Sequence, residues 1–266
     1  SFSDAGAKSV SDSMFSAAKW ASKAAAMAVS ALAAFAVMSS PARATDVDFQ
    51  SIDRQYFHRH EGSNLQDNID GLQKLNGVSG GRDGQVLWRL CRAKVRRAEK
   101  IEKRSDKLAG YESAKANCEE GVALSSTSAE AHFWLGVTIG RWGETKGLMK
   151  ALFIIKPLKK EMAEVLRLDP SHGGAHNVLG EILWQLPGFV GGDKRQALSE
   201  FEAAIRLSPN YTANHQPLAE AYLHFKRKDD AIRVLKMVEA VKDPADPAEY
   251  PDNLADAKLL LEKIDK

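Results

Sequence analysis

With 266 residues, 44% of them apolar and 27% charged, the chain is long enough for one large or two small domains of ordinary soluble composition. Its formal net charge is only +2. A body so near neutrality lacks the field that concentrates proteins on phosphate backbones, so nucleic acid is excluded as the expected partner.

In chain order, residues 1–44 read first as a targeting segment. Lys19 and Lys23 precede an apolar run from Ala24 to Met38 that only Ser30 interrupts, and Ala42-Arg43-Ala44 supplies a small-x-small cleavage pattern. The pattern predicts a secretory signal peptide processed after Ala44, with Met14 a candidate initiator. That places the mature protein in the periplasm or outside the cell. An N-terminal membrane anchor and an organelle transit peptide are the alternatives; the apolar run, about 15 residues, is short of the roughly 20 that span a bilayer. Loss of Lys8, Lys19, Lys23, Arg43, Asp4 and Asp12 leaves 33 basic and 33 acidic residues. Residues 45–82 are polar and end among Gly77, Gly80 and Gly81, which predicts one short helix and then a loop.

From residue 83 onward the chain repeats itself. EVLRLDPSH (164–172), EAAIRLSPNY (202–211) and, more loosely, EEGVALSSTS (119–128) close alike, and each precedes a similar start. Four helices A carry the pairs Leu90-Cys91, Leu135-Gly136, Leu179-Gly180 and Leu218-Ala219. Four helices B carry the stripes Ala114/Cys118/Gly121, Leu158/Met162/Val165, Ala197/Phe201/Ala204 and Ala231/Leu235/Val238, spaced by four and three residues as a 3.6-residue helix requires. Pro170 and Pro209 close two of the units, because proline cannot continue the helical ladder.

This register resembles the tetratricopeptide repeat, and it implies an all-α, right-handed solenoid of about four helical hairpins over 83–242. Residues 243–252 (DPADPAEYPD) break the helix, and Leu254, Ala257, Leu261 and Ile264 then mark a C-terminal capping helix within 243–266. The first three hairpins carry about 11, 10 and 5 residues more than the standard repeat, expected as insertions on one face. WRLCRAK (88–94), AEAHFWLGVTIGRWGETKGLMKAL (129–152) and LPGFVGGDKRQAL (186–198) are similar to bacterial periplasmic repeat proteins of the transporter T-component type and to the regulator of microtubule dynamics family. The resemblance implies a non-catalytic extracytoplasmic adaptor without cofactor; on the T-component side it implies pairing with a periplasmic solute-binding protein.

Candidate sites are few. His132, His176 and His215 occupy one repeat position, so packed helices separate them and the expectation is structural packing, not a zinc site. Asp193, in the glycine-rich stretch 187–198, suits a helix N-cap better than a phosphate loop. Cys91 and Cys118 hold packing positions of one unit, either as buried thiols or, in an oxidising compartment, as a disulfide. Arg89, Arg92, Arg96, Lys100 and Lys103 form the basic side of an amphipathic helix, expected to face solvent or to dock an acidic partner. No catalytic or metal motif is present. The segment 142–160 is more apolar than an exposed loop tolerates: it either completes the local core or lines a pocket. The candidate binding set is Phe133, Arg141, Trp142, Lys146, Lys150, Phe153, Trp184 and Phe189. Its expected ligand is a protein partner, a periplasmic solute-binding protein or an envelope complex; an apolar small molecule within a solute-uptake system is the second class, and the oligomeric state is left open.

Overall fold

The computed structural model describes residues 47–78 and 83–264, which form eleven α-helices and no strands. The segment 1–44 therefore lies outside the described residues, and no described helix is long and apolar enough to cross a membrane. The helices are α1 (Phe49–Phe57), α2 (Asn64–Val78), α3 (Gly84–Glu99), α4 (Arg104–Leu124), α5 (Ala129–Lys146), α6 (Leu148–Leu168), α7 (Gly173–Gln185), α8 (Lys194–Leu207), α9 (His215–His224), α10 (Lys228–Ala240) and α11 (Tyr250–Ile264).

Four hairpins carry the architecture: α3/α4, α5/α6, α7/α8 and α9/α10 pack as helix A against helix B. Each joins where the sequence places its small residues. A Cβ on Gly136 would stand 2.3 Å from the Met162 methyl, and one on Gly180 would stand 2.7 Å from the Phe201 ring. Only glycine lets these helices approach so closely. The helix B stripes are buried throughout, with Ala114, Cys118, Met162, Val165, Ala197, Ala204, Ala231 and Leu235 fully inaccessible. Two cores follow in sequence. The first joins α3–α7, and the second joins α7–α10 with the capping helix α11.

Two expectations change. The extra residues in the first two hairpins do not leave the solenoid as loops; they lengthen its helices. α4 and α6 each have 21 residues, and Gly147 alone, at φ +97°, separates α5 from α6. Nothing in 142–168 other than Gly147 and Pro157 interrupts a helical ladder, so the chain continues as helix on both sides of the turn. The third hairpin keeps its extra residues as a loop, with a 3-10 turn at Gly188–Val190. Residues 47–78 also hold two helices where one was expected. Leu65, Ile69 and Leu72 give α2 a buried stripe that meets Tyr56 of α1 and Val86, Leu90 and Ala93 of α3.

Cys91 and Cys118 are joined, with their sulfurs 1.94 Å and their Cα atoms 5.3 Å apart, pinning α3 to α4. The histidines settle into the packing. His132 Nδ1 lies 2.7 Å from Glu161, His176 Nδ1 lies 2.7 Å from Glu200, and His172 Nδ1 accepts the Ala175 N–H at the start of α7. Asp193 caps α8 by accepting the N–H groups of Arg195 and Gln196.

His215 differs for a reason visible in the register. Glu161 and Glu200 both stand three residues after the first helix B marker, and there the last hairpin has the buried Val234. His215 is wholly inaccessible, and burial lowers its pKa to about 4. The unfolded chain binds that proton near pH 6.5, so the contribution is complete above 6.5 and is lost as pH falls toward 4. Between pH 7 and pH 5 this one group should remove about 2 kcal/mol of stability. Urea unfolding of wild type and His215→Phe at both pH values checks this: the variant should lose about 2 kcal/mol less on acidification, and equal losses would refute the assignment.

Candidate functional site

Helices A present one shared inner face, and its residues can be followed by register. Two residues after each marker leucine stand Arg92, Val137, Glu181 and Glu220; six residues after it stand Arg96, Arg141, Gln185 and His224. Their exposure grades along the solenoid. Arg92, Val137, Glu181, Arg96 and Arg141 are buried, Gln185 is half-buried, and Glu220 and His224 are exposed.

The buried end is closed by the protein itself. Arg89, Arg92 and Arg96 on the basic side of α3, expected to face solvent or to dock an acidic partner, lie beneath α1, whereas Lys100 and Lys103 beyond the helix end are exposed. Asp53 of α1 accepts from Arg89 Nη2 at 2.8 Å and from Arg92 Nη2 at 2.5 Å. The Tyr56 ring, fully buried, lies 3.7 Å from the Arg92 guanidinium carbon. Amphipathic spacing identifies a polar face but does not tell whether water or another helix covers it; here acidic side chains and an aromatic ring do so.

The covering is completed from the far end of the chain. Arg59, just after α1, forms a two-pronged pair with Asp246 in the segment before α11, with Nη1–Oδ1 2.9 Å and Nη2–Oδ2 2.7 Å. Their side chains are 5% and 1% exposed, so water contributes almost nothing to their solvation. Arg96 meets Glu249 at 2.5 Å and Glu99 at 3.0 Å, and its Nε donates to the Tyr56 hydroxyl at 3.3 Å. The Tyr211 hydroxyl donates to Glu249 at 3.3 Å. Arg141 reaches Glu99 at 2.6 Å.

The titration behaviour follows from this crowding. Burial pushes Glu99 up, but Arg141 and Arg96 outweigh it and hold the carboxyl below its usual range. Glu249 is pushed up to about 7 by burial, against the pull of Arg96. Glu144 rises to about 8 because burial, with Glu181 and Glu99 nearby, outweighs Arg141.

The open end is built differently. Trp184 is half-buried; the Lys194 ammonium stands 3.8 Å from its ring centre and donates to the Trp184 carbonyl. The His224 ring meets Trp184 edge-on at 5.1 Å, and Phe201 supports it from the core side at 6.3 Å. Glu220 lies one turn before His224 on α9, in solvent.

The eight candidate residues do not gather into one pocket. Phe133 is fully buried against His172 and Trp134, so it offers a ligand no surface. Arg141 belongs to the closed network. Trp142 donates to Glu112 at 3.1 Å, and Lys146 lies 5.2 Å from the Trp142 ring centre. Lys150 lies in α6, but its side chain is outside the described residues. Phe153 and Phe189 are 75% and 88% exposed, and Trp184 borders the open inner face. Sequence reasoning missed Arg59, Asp246 and Glu249. No local signal could have found them, since Arg59 and Asp246 are 187 residues apart in the chain.

A family model described as regulator of microtubule dynamics protein 1-3 matches residues 52–186, just over half of the chain. The chain belongs to that family. The match runs from α1 through α7 and so contains Asp53, Arg59, Arg96, Glu99 and Arg141. A tetratricopeptide repeat model matches residues 192–264, which hold Asp246 and Glu249. Among solved structures, the chain is similar to TTC0263, a thermophilic tetratricopeptide repeat protein of Thermus thermophilus. The identity is 17%, the TM-score 0.56, and the match covers 79% of this chain and 96% of that one. It is also similar to MamA residues 41-end from Desulfovibrio magneticus, at 14% identity and TM-score 0.46, covering 74% of this chain and 98% of that one. No curated protein sequence matches it significantly. The repeat model and the Thermus likeness establish an all-helical repeat fold.

Proposed function

We propose that this family member is a non-catalytic adaptor, working outside the cytoplasm, that holds a segment of a partner protein on the open C-terminal half of its inner face. The observation that carries the reading is the gradient of exposure along helices A. The N-terminal half is filled by α1 and by the segment bearing Asp246, while Trp184, Gln185, Glu220 and His224 remain accessible. A half-buried tryptophan braced by an aromatic ring and a lysine has the character of an interface anchor, since it supplies large contact area with little loss of side-chain freedom.

One bond supports the compartment in this reading. A Cys91–Cys118 bridge between the helices of one hairpin persists in an oxidising environment and is rare where thiols are kept reduced. It agrees with the leader expected over 1–44.

Two experiments test the reading. Crosslinking of the wild-type chain in its native envelope should capture a partner that Trp184→Ala and Glu220→Lys each lose by at least about tenfold, at unchanged helicity. Capture indifferent to both substitutions would reject the inner-face site. Intact mass of protein recovered without reductant should be two hydrogens lighter than after reduction, and two free thiols would reject the compartment.

A further inference from the structure

In a solenoid of antiparallel hairpins, every turn from helix A to helix B falls on one edge and every turn from B to A on the other. Here the two edges differ in the lysines they carry. The B-to-A turns Ser125–Ser128, Asp169–His172 and Ser208–Tyr211 contain no lysine or arginine, and Arg167 and Arg206 flank two of them. On the A-to-B edge Lys100 and Lys103 stand with Glu102 in the first turn, Asp193 precedes Lys194 and Arg195 at the third, and Lys226, Arg227 and Lys228 precede Asp229 and Asp230 at the fourth. The second turn is the most one-sided: five lysines and no acidic residue lie between Lys146 and Lys160. Among the acids elsewhere on this edge, Asp193 caps α8, and Asp230 is paired with Arg227 and Arg233.

The same edge carries the large apolar side chains that the fold leaves bare. Phe189 and Val190 project from the loop before α8 at 88% and 42% exposure. Phe153 stands near the start of α6, where it shares an exposed stripe with Lys156, Pro157 and Lys160 at spacings of three, four and seven. The opposite side of α6 holds Leu158, Met162 and Val165 in the core.

We infer that the A-to-B edge docks peripherally on an anionic membrane surface, with Phe153 and Phe189 entering the interfacial layer and Lys156, Lys159 and Lys160 meeting acidic headgroups. Charge complementarity points to an anionic occupant: Lys156 and Lys160 share an exposed helix face with Phe153, and Phe189 is bare on the next hairpin. A basic helix face with phenylalanine beside it is the pattern that lies on membranes without spanning them. Each lysine near an anionic surface improves partitioning roughly fivefold. This edge is distinct from the inner face proposed for the protein partner, and either site can fail without the other.

The test is flotation of the full chain with phosphatidylcholine vesicles, with and without phosphatidylglycerol, at low and physiological salt. The part of the phosphatidylglycerol gain lost on charge reversal in α6 isolates the edge from any binding by residues 1–44, which carry Lys8, Lys19, Lys23 and Arg43. The gain should be present and should shrink as salt rises. Lys156→Glu with Lys160→Glu should cut it at least about 30-fold. Phe153→Ser and Phe189→Ser should each weaken binding about tenfold, and Lys258→Glu on α11 should matter little, all at unchanged helicity. No phosphatidylglycerol gain, or equal effects of the α6 and α11 charge changes, would overturn the inference. So would binding to polyglutamate in preference to the vesicles, since it would assign the edge to an acidic protein.

Discussion

Arg59 and Asp246 meet across almost the whole sequence, in a place that water scarcely reaches, and the shape of the molecule depends on that meeting. A buried ion pair is a poor source of net stability, because withdrawing two charges from water costs about what their attraction returns. It is nonetheless very intolerant of alternatives. With Asp246 absent, Arg59 and Arg96 would be left beside Tyr56 with too few counter-charges. The paired charges thus specify one position for α1 and one for the segment before α11, and both positions cover the inner face. A scaffold fold is thereby made asymmetric: half of the surface that such solenoids present inward is covered by the chain, and the other half is left open.

That asymmetry reorganises what the repeats have to offer. The arginines on α3 are structural, holding α1 through Asp53 and the distal segment through Glu249. The exposed lysines of α6 and the bare phenylalanines sit on the A-to-B edge, and Trp184 borders the open half of the inner face. The longer helices of the first two hairpins serve the same arrangement. They extend the A-to-B edge outward, and they carry Glu99, Arg141 and Glu144, all beyond the marker positions, into the closed network.

The hairpins were legible in the sequence because their determinants are local. A marker pair such as Leu179-Gly180, a stripe such as Ala197/Phe201/Ala204 and a closing proline each act within a few turns of helix, and the 3.6-residue period exposes them. The closed network was not legible, for the opposite reason. FHRHE and DPADPAE are each unremarkable surface-like stretches, and only the path of the solenoid brings Arg59 to Asp246. The α3 arginines show the limit of amphipathic reasoning in a single residue stripe: it sorted the faces of the helix correctly and assigned the wrong neighbour to one of them. For α2 the stripe Leu65/Ile69/Leu72 was present but lay among polar residues. For the binding residues, Phe133 shows that an aromatic side chain near an inner face is often core, whereas Phe153 and Phe189 are held out in solvent.

The most direct test of this account is a double-mutant cycle on Arg59→Met and Asp246→Leu, read by urea unfolding. If the pair fixes the closure, each single substitution should cost about 3–5 kcal/mol, because it strands a buried charge, and the double variant should recover most of the loss. Two small costs that simply add would contradict it, and would mean that α1 and the segment before α11 are held to the inner face by something other than the meeting of Arg59 and Asp246.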